Sequence, residues 1–171
     1  AKSHIEALAG RHIISGTGEG LFSPDRNVTR EEFAKMLIEA FDFELDNVST
    51  DLSDVPKDAW YYKYVATAQE LGIVNGIGDN KFGVGTNISR QDMATMAYRA
   101  AKTAGTMIKR VKPVEIFADD NDIAEYSKES VTVMQQAGII NGVGNDRFAP
   151  NDNATRAQAA RIIYMLYKEN L

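Results

Sequence analysis

Three stretches of the chain carry apolar residues at intervals of three and four: Phe33, Met36, Leu37, Ala40 and Phe41; Met93, Met96, Ala97, Ala100 and Ala101; Ala159, Ile162, Ile163, Leu166 and Tyr167. That spacing gathers each set on one face of a helix, so three amphipathic helices with one buried side are predicted. The methionines and tyrosine of these stripes read as core fillers and are given no chemistry. Each stripe also has a marked start. Thr29, Ser89 and Thr155 stand where a hydroxyl caps the first free amides, and Glu32, Asp92 and Gln158 follow three residues later, where an acceptor reaches back to the cap's own N–H. Asp92 is the short version of that acceptor. Two further helical patterns, Trp60 to Leu71 and Tyr126 to Ala137, stop at Gly72 and Gly138, where a left-handed closing residue favours glycine. His12 holds the corresponding place in the first part of the chain, a conformation that histidine tolerates better than most residues.

These elements recur in order. The segments from Ile13 to Leu37, Ile73 to Ala97 and Ile139 to Ile163 align without gaps, at offsets of 60 and then 66 residues. Each carries Gly-x-Gly (Gly16 and Gly18, Gly76 and Gly78, Gly142 and Gly144), then Phe22, Phe82 or Phe148, then a hydroxyl-Arg pair. The chain is therefore a threefold repeat of helix, tight glycine loop and helix. A unit of roughly 50 residues has too little core to stand alone, so the repeats are expected to share apolar faces. Polar connectors run from Asp42 to Asp51 and from Thr103 to Glu115. The expectation is one mainly α domain over 1–171, with repeats at 1–41, 52–103 and 117–171. Nothing equivalent to the Asp54 to Trp60 segment precedes the first copy, which is read as truncated at its start.

Composition narrows the function. Hydrophobic residues make 44% and charged residues 25% of the 171, as in ordinary globular chains. Nineteen basic against 24 acidic side chains leave a net charge of −5, which argues against binding a nucleic-acid backbone. There is no cysteine, hence no thiolate metal site, catalytic thiol or disulfide. No apolar run is long enough for membrane insertion. The glycine loops lack the full dinucleotide and phosphate-loop signatures and are explained by turn geometry. Asp119, Asp120, Asn121 and Asp122 lack the glycine and distal Glu of a calcium loop, and His4 and His12 have no matching acid cluster, so neither a metal nor a cofactor is expected. No acid pair or nucleophile stands out as catalytic, and the chain is read as a non-enzyme.

Arg30, Arg90 and Arg156 each follow their N-cap directly. A cation at the positive end of a helix macrodipole costs about 0.3 to 1 kcal/mol, so something other than helix stability accounts for it. One reading is a receptor for a carboxylate or phosphate, combining the guanidinium fork with free helix-start amides. The other is a structural ion pair with Asp25, Asp152 or the Asp54 and Asp119 segments. A second candidate set is Asp54 with Trp60 and Asp119 with Tyr126, where an exposed ring and an acid would hold a sugar, or the ring would plug the core while Asp caps a helix. Lys109, Arg110 and Lys112 form a short basic cluster in the second connector, read as a solvated loop or a supplement to an anionic groove.

The stretches Gly72-Ile73-Val74-Asn75-Gly76 and Gly138-Ile139-Ile140-Asn141-Gly142, Phe22-x-Pro24 and Phe148-x-Pro150, and Thr29-Arg30-Glu31-Glu32 and Thr155-Arg156-Ala157-Gln158 resemble the motifs of S-layer homology repeats, over nearly the whole chain. The resemblance implies a pseudo-threefold, three-pronged helical domain on secreted surface proteins of mostly Gram-positive bacteria. It further implies non-covalent anchoring to secondary cell wall polysaccharide, often through a terminal N-acetylmannosamine carrying a pyruvate ketal, in grooves between adjacent repeats. It places Arg30, Arg90 and Arg156 at the motif arginine, and Asp54, Trp60, Asp119 and Tyr126 at the Phe-x-Asp and Trp positions. The loop glycines Gly18, Gly78 and Gly144 complete the expected ligand-binding set. Ser89-Arg90-Gln91-Asp92, Val84 and Tyr126 depart from the usual residues and set the grooves apart. At most two well-formed grooves are expected, between repeats one and two and between two and three. The alternative is a protein-protein assembly module that docks surface-layer subunits.

Overall fold

Capped helices and glycine-closed turns dictate the architecture. In the computed structural model, which describes residues 2–10, 13–16 and 21–168, there are six α-helices among the described residues: α1 (Lys2–Ala9), α2 (Arg30–Ala40), α3 (Tyr62–Glu70), α4 (Arg90–Thr103), α5 (Glu125–Gln136) and α6 (Arg156–Lys168). Thr29 and Glu32 form the complete capping box at α2. Thr155 and Gln158 do the same at α6, where the Thr155 N–H donates to Gln158 Oε1 at 3.1 Å and the Gln158 N–H to Thr155 Oγ at 3.3 Å. At α4 only half forms: Ser89 accepts from the Asp92 N–H at 3.2 Å, and the shorter Asp92 side chain does not return. Gly72 and Gly138 close α3 and α5 at φ 68° and 71°. Gly72 donates to the Gln69 carbonyl and Ile73 to that of Ala68, the paired bonds of a Schellman turn. His12 lies outside the described residues.

The α-helices pair across repeat boundaries. α2 packs on α3, α4 on α5, and α1 on α6, so each pair joins the second helix of one repeat to the first helix of another. α2, α4 and α6 also touch one another. Their shared face is the predicted one: Phe33, Leu37, Met93, Ala97, Ala159 and Ile163 are buried. Burying a large apolar side chain such as Phe33, Leu37 or Ile163 contributes about 1.5 to 3 kcal/mol, and the helices that carry them pack across repeat boundaries.

Just before α2, α4 and α6 the chain makes a closed ring of backbone bonds. The Val28 N–H donates to the Ala154 carbonyl, Ala154 to Ile88, and Ile88 to Val28, each at 2.9 to 3.0 Å. Single β-bridges join Asn27 to Thr155, Thr29 to Asn87 and Ser89 to Asn153 around the same ring. The ring fixes the three helix starts, and therefore the three arginines, relative to one another.

Candidate functional site

Each motif arginine straps its repeat to another. The N–H groups of Arg30, Arg90 and Arg156 donate to the carbonyls of Thr86, Asp152 and Arg26. Their Nε atoms donate to the carbonyls of Phe82, Phe148 and Phe22 at 2.9 to 3.0 Å. The guanidinium carbons lie 5.2, 5.0 and 4.6 Å from the centroids of those same rings. Carbonyl acceptors and ring faces thus offset the unfavourable helix dipole. Beyond the strap, the three differ.

Arg90 lines a cavity of about 420 Å³ with Ile139, Asn141, Gly142, Gln158 and Arg161. Its Nη2 donates to the Asn141 carbonyl at 2.9 Å, and Arg161 donates to the carbonyls of Ile139 and Gly138. That lining contains two arginines and no acid. Burial lowers the affinity of Arg90 for its proton, with Asp152 and Asp119 acting in the other direction. The guanidinium stays charged all the same.

Arg156 lines a cavity of about 580 Å³ with Ser15, Gly16, Arg26, Glu32, Lys35 and Trp60. Its Nη2 donates to the Ser15 carbonyl at 2.6 Å. Burial and the repulsion of Arg26 both lower its pKa, with Glu32 opposing. Glu32 is itself held by Arg26 Nη2 at 2.6 Å and by the Thr29 N–H. Trp60 is 57% exposed, with Lys35 Nζ 5.9 Å from its ring centroid. Its ring is a wall of the cavity and not a plug in the core.

Arg30 lines the third cavity, about 430 Å³, with Asn75, Gly76, Asp92, Arg99 and Tyr126. Here an acid is present: Arg30 Nη1 meets Asp92 Oδ2 at 2.7 Å, and the Tyr126 hydroxyl donates to Asp92 Oδ1 at 2.7 Å. The partner is none of the acids expected from sequence. Among the described residues, no carboxylate is in ion-pair contact with Arg90 or Arg156.

Several expectations are corrected. Three cavities carry a motif arginine, not two, because each combines the arginine of one repeat with the loop and second helix of another. Asp54 and Asp119 line none of the three. Asp54 accepts the N–H groups of Phe82, Gly83 and Val84 at 2.7 to 2.9 Å, and Asp119 those of Phe148 and Ala149 at 2.8 Å. Burial raises both carboxyl pKa values and these amides more than offset it, so both sit below the usual range. They shape the loops whose carbonyls hold Arg30 and Arg90. Asp120 is likewise engaged, with Lys128 at 2.8 Å.

Gly78 and Gly144 close tight turns, Lys81 donating to the Gly78 carbonyl and Arg147 to that of Gly144, outside the cavity linings. Gly18 lies outside the described residues. The groove glycines are Gly16, Gly76 and Gly142, the first of each Gly-x-Gly, two positions earlier. A Cβ on Gly76 or Gly142 would stand 2.6 or 2.7 Å from the Lys81 or Arg147 carbonyl oxygen, so the turn folds back only over glycine. Asp92, Arg161, Lys35 and Arg26 also line these cavities, and the motif reading did not single them out for a site. The signal for Asp92 was present in its short side chain at a position where the other repeats carry Glu and Gln.

The model of the S-layer homology domain matches residues 1–34, 51–94 and 116–160. Among curated proteins, an amylopullulanase of Thermoanaerobacterium thermosulfurigenes is 36% identical over 99% of this chain, and the exoglucanase XynX of Acetivibrio thermocellus is 34% identical over 99%. The S-layer protein sap of Bacillus anthracis is 26% identical over 93%. The chain spans 9%, 16% and 19% of those proteins, so the enzymatic names belong to proteins far longer than the shared region. What enzymes and surface-layer proteins have in common is an anchoring region and not a catalytic one. The chain belongs to the S-layer homology family, as three consecutive repeats.

Proposed function

We propose that this chain anchors a surface protein to the bacterial cell wall by reversible binding of an anionic secondary wall polysaccharide, through a terminal N-acetylmannosamine bearing a pyruvate ketal, in a Gram-positive wall. The observation that carries this reading is the pair Arg90 and Arg156. Both are partly buried cations beside open cavities, and among the described residues neither has an ion-paired acid. A carboxylate on an otherwise neutral sugar supplies the missing charge, and its two oxygens match the guanidinium fork. The exposed ring of Trp60 offers an apolar face to a pyranose at the Arg156 groove. One charged hydrogen-bonded contact contributes about 1.5 to 3 kcal/mol net, and two grooves on one polymer add avidity.

The test is binding to purified wall polymer before and after mild-acid removal of the ketal. Binding is expected to disappear with the ketal, and equal binding to both polymers contradicts the reading. Assembly with other copies is a second reading, favoured by the exposed Met107, Val111 and Val114 of the second connector and by Ile116 just after it. Light scattering without polymer separates it, since self-association is expected only on that reading.

A further inference from the structure

We infer that Asp92 closes the Arg30 groove to carboxylate ligands, occupying with its own side chain the seat that stays open beside Arg90 and Arg156. This rests on the reading that those two arginines take the charged end of the glycan.

The geometry is that of a bound ligand supplied by the chain itself. The two oxygens of one carboxylate are divided between Arg30 Nη1 and the Tyr126 hydroxyl, each at 2.7 Å, and all three residues line one cavity. The Arg30 side chain is 8% exposed and that of Asp92 24%, so the pair is sheltered but faces the groove. An incoming carboxylate must either share one guanidinium with Asp92, bringing two like charges together, or displace it and break both bonds. Tyr126 bears the mark of the arrangement: burial, then the hydrogen bond and charge of Asp92, push its phenol up to about 12.

The other repeats show why this happens once. Glu32 and Gln158 are one methylene longer and fold back onto their own cap amides, Thr29 and Thr155, at 3.0 and 3.1 Å. That return bond keeps Gln158 out of contact with Arg90 and Glu32 out of ion-pair contact with Arg156, although the Glu32 charge still reaches that guanidinium. Asp92 cannot span the distance, and its carboxylate turns into the groove instead.

The arginine side chains report on each groove separately. Every Nε–H is held by a phenylalanine carbonyl, so NMR signals from the three Nε–H groups persist in water and are titrated with the methyl glycoside of pyruvylated N-acetylmannosamine. In the parent protein Arg90 and Arg156 are expected to shift, while Arg30 stays still at about tenfold higher ligand concentration, the least that one charged contact implies. Asp92→Glu restores the return bond and Asp92→Asn removes the charge, and each is expected to bring Arg30 into response alongside the others. Unchanged Arg90 and Arg156 signals in the free variants show that they fold. The inference is overturned if Arg30 shifts with the others in the parent, or stays silent in both variants while the others respond. Silence of all three arginines in every protein refutes the carboxylate reading itself and removes the inference with it.

Discussion

The Arg90 and Arg30 grooves share one frame but not one lining: Arg161 faces the first where Thr95 stands in the second, and Tyr126 lines only the second. Both arginines donate Nε to the carbonyl of a phenylalanine whose ring they cover, and both phenylalanine loops hang from an aspartate, Asp119 or Asp54. Both grooves back onto an Asn-Gly turn, Asn141-Gly142 or Asn75-Gly76. They part at the third residue of the helix that forms the far wall. Gln158 serves its own cap and leaves Arg90 without an acid, whereas Asp92 fails to reach its cap and neutralises Arg30. A residue chosen for a local task, capping a helix, thereby decides the charge of a groove. A shorter side chain that carries a charge, Asp92 in place of Gln158, separates a self-satisfied cavity from a cationic one.

The largest effect expected to sharpen this contrast comes from Arg90→Ala with Arg156→Ala. Removing both open cations and the avidity between them should weaken polymer binding by about a hundredfold or more, read by co-sedimentation. The same change at Arg30 should act on folding instead, lowering stability by about 1 to 3 kcal/mol through the unpaired Asp92. Gly142→Ala comes next. Its Cβ would meet the Arg147 carbonyl at 2.7 Å, so a loss of about 1 to 3 kcal/mol is expected in denaturant unfolding, with Asn141 drawn away from Arg90. Arg90→Lys keeps the charge but gives up the fork and the bond to Phe148, and calorimetry should show about tenfold weaker binding at that groove.

The smallest effect is a shared one. Asp119 has a lowered pKa in the folded chain, so its contribution is present above the unfolded value near 4 and is lost as pH falls through the lower folded value. Asp119→Asn should cost about 1 kcal/mol at pH 7, and the gap to the parent should close below about pH 4 in urea titrations. Asp54→Asn should follow the same course, since both grooves depend on the same loop support.

How far these features could be read from sequence follows from their range. Caps, stripes and closing glycines are local, and Thr29, Gly72, Phe33 and Met93 stand as their spacing predicts. Periodicity states which face of a helix is apolar but not which helix covers it, so the pairing of α1 with α6 lay outside it. Asp54 and Asp119 looked like sugar ligands because an acid near an exposed ring has that chemistry, yet their bonds go to amides 28 to 30 positions along the chain. Among the glycines, sequence offered both members of each Gly-x-Gly. Only the carbonyl facing Gly76 and Gly142 singles out the first as the groove glycine. The short side chain of Asp92 was visible as a weak cap, but where an unreturned carboxylate goes depends on Arg30 and Tyr126, 62 and 34 positions away.

The most direct measurement is the calorimetric stoichiometry of the pyruvylated monosaccharide with the parent chain and with Asp92→Glu. The account requires two ligands on the parent and three on the variant. Three on the parent, none on the parent, or no gain in a folded Asp92→Glu would contradict it.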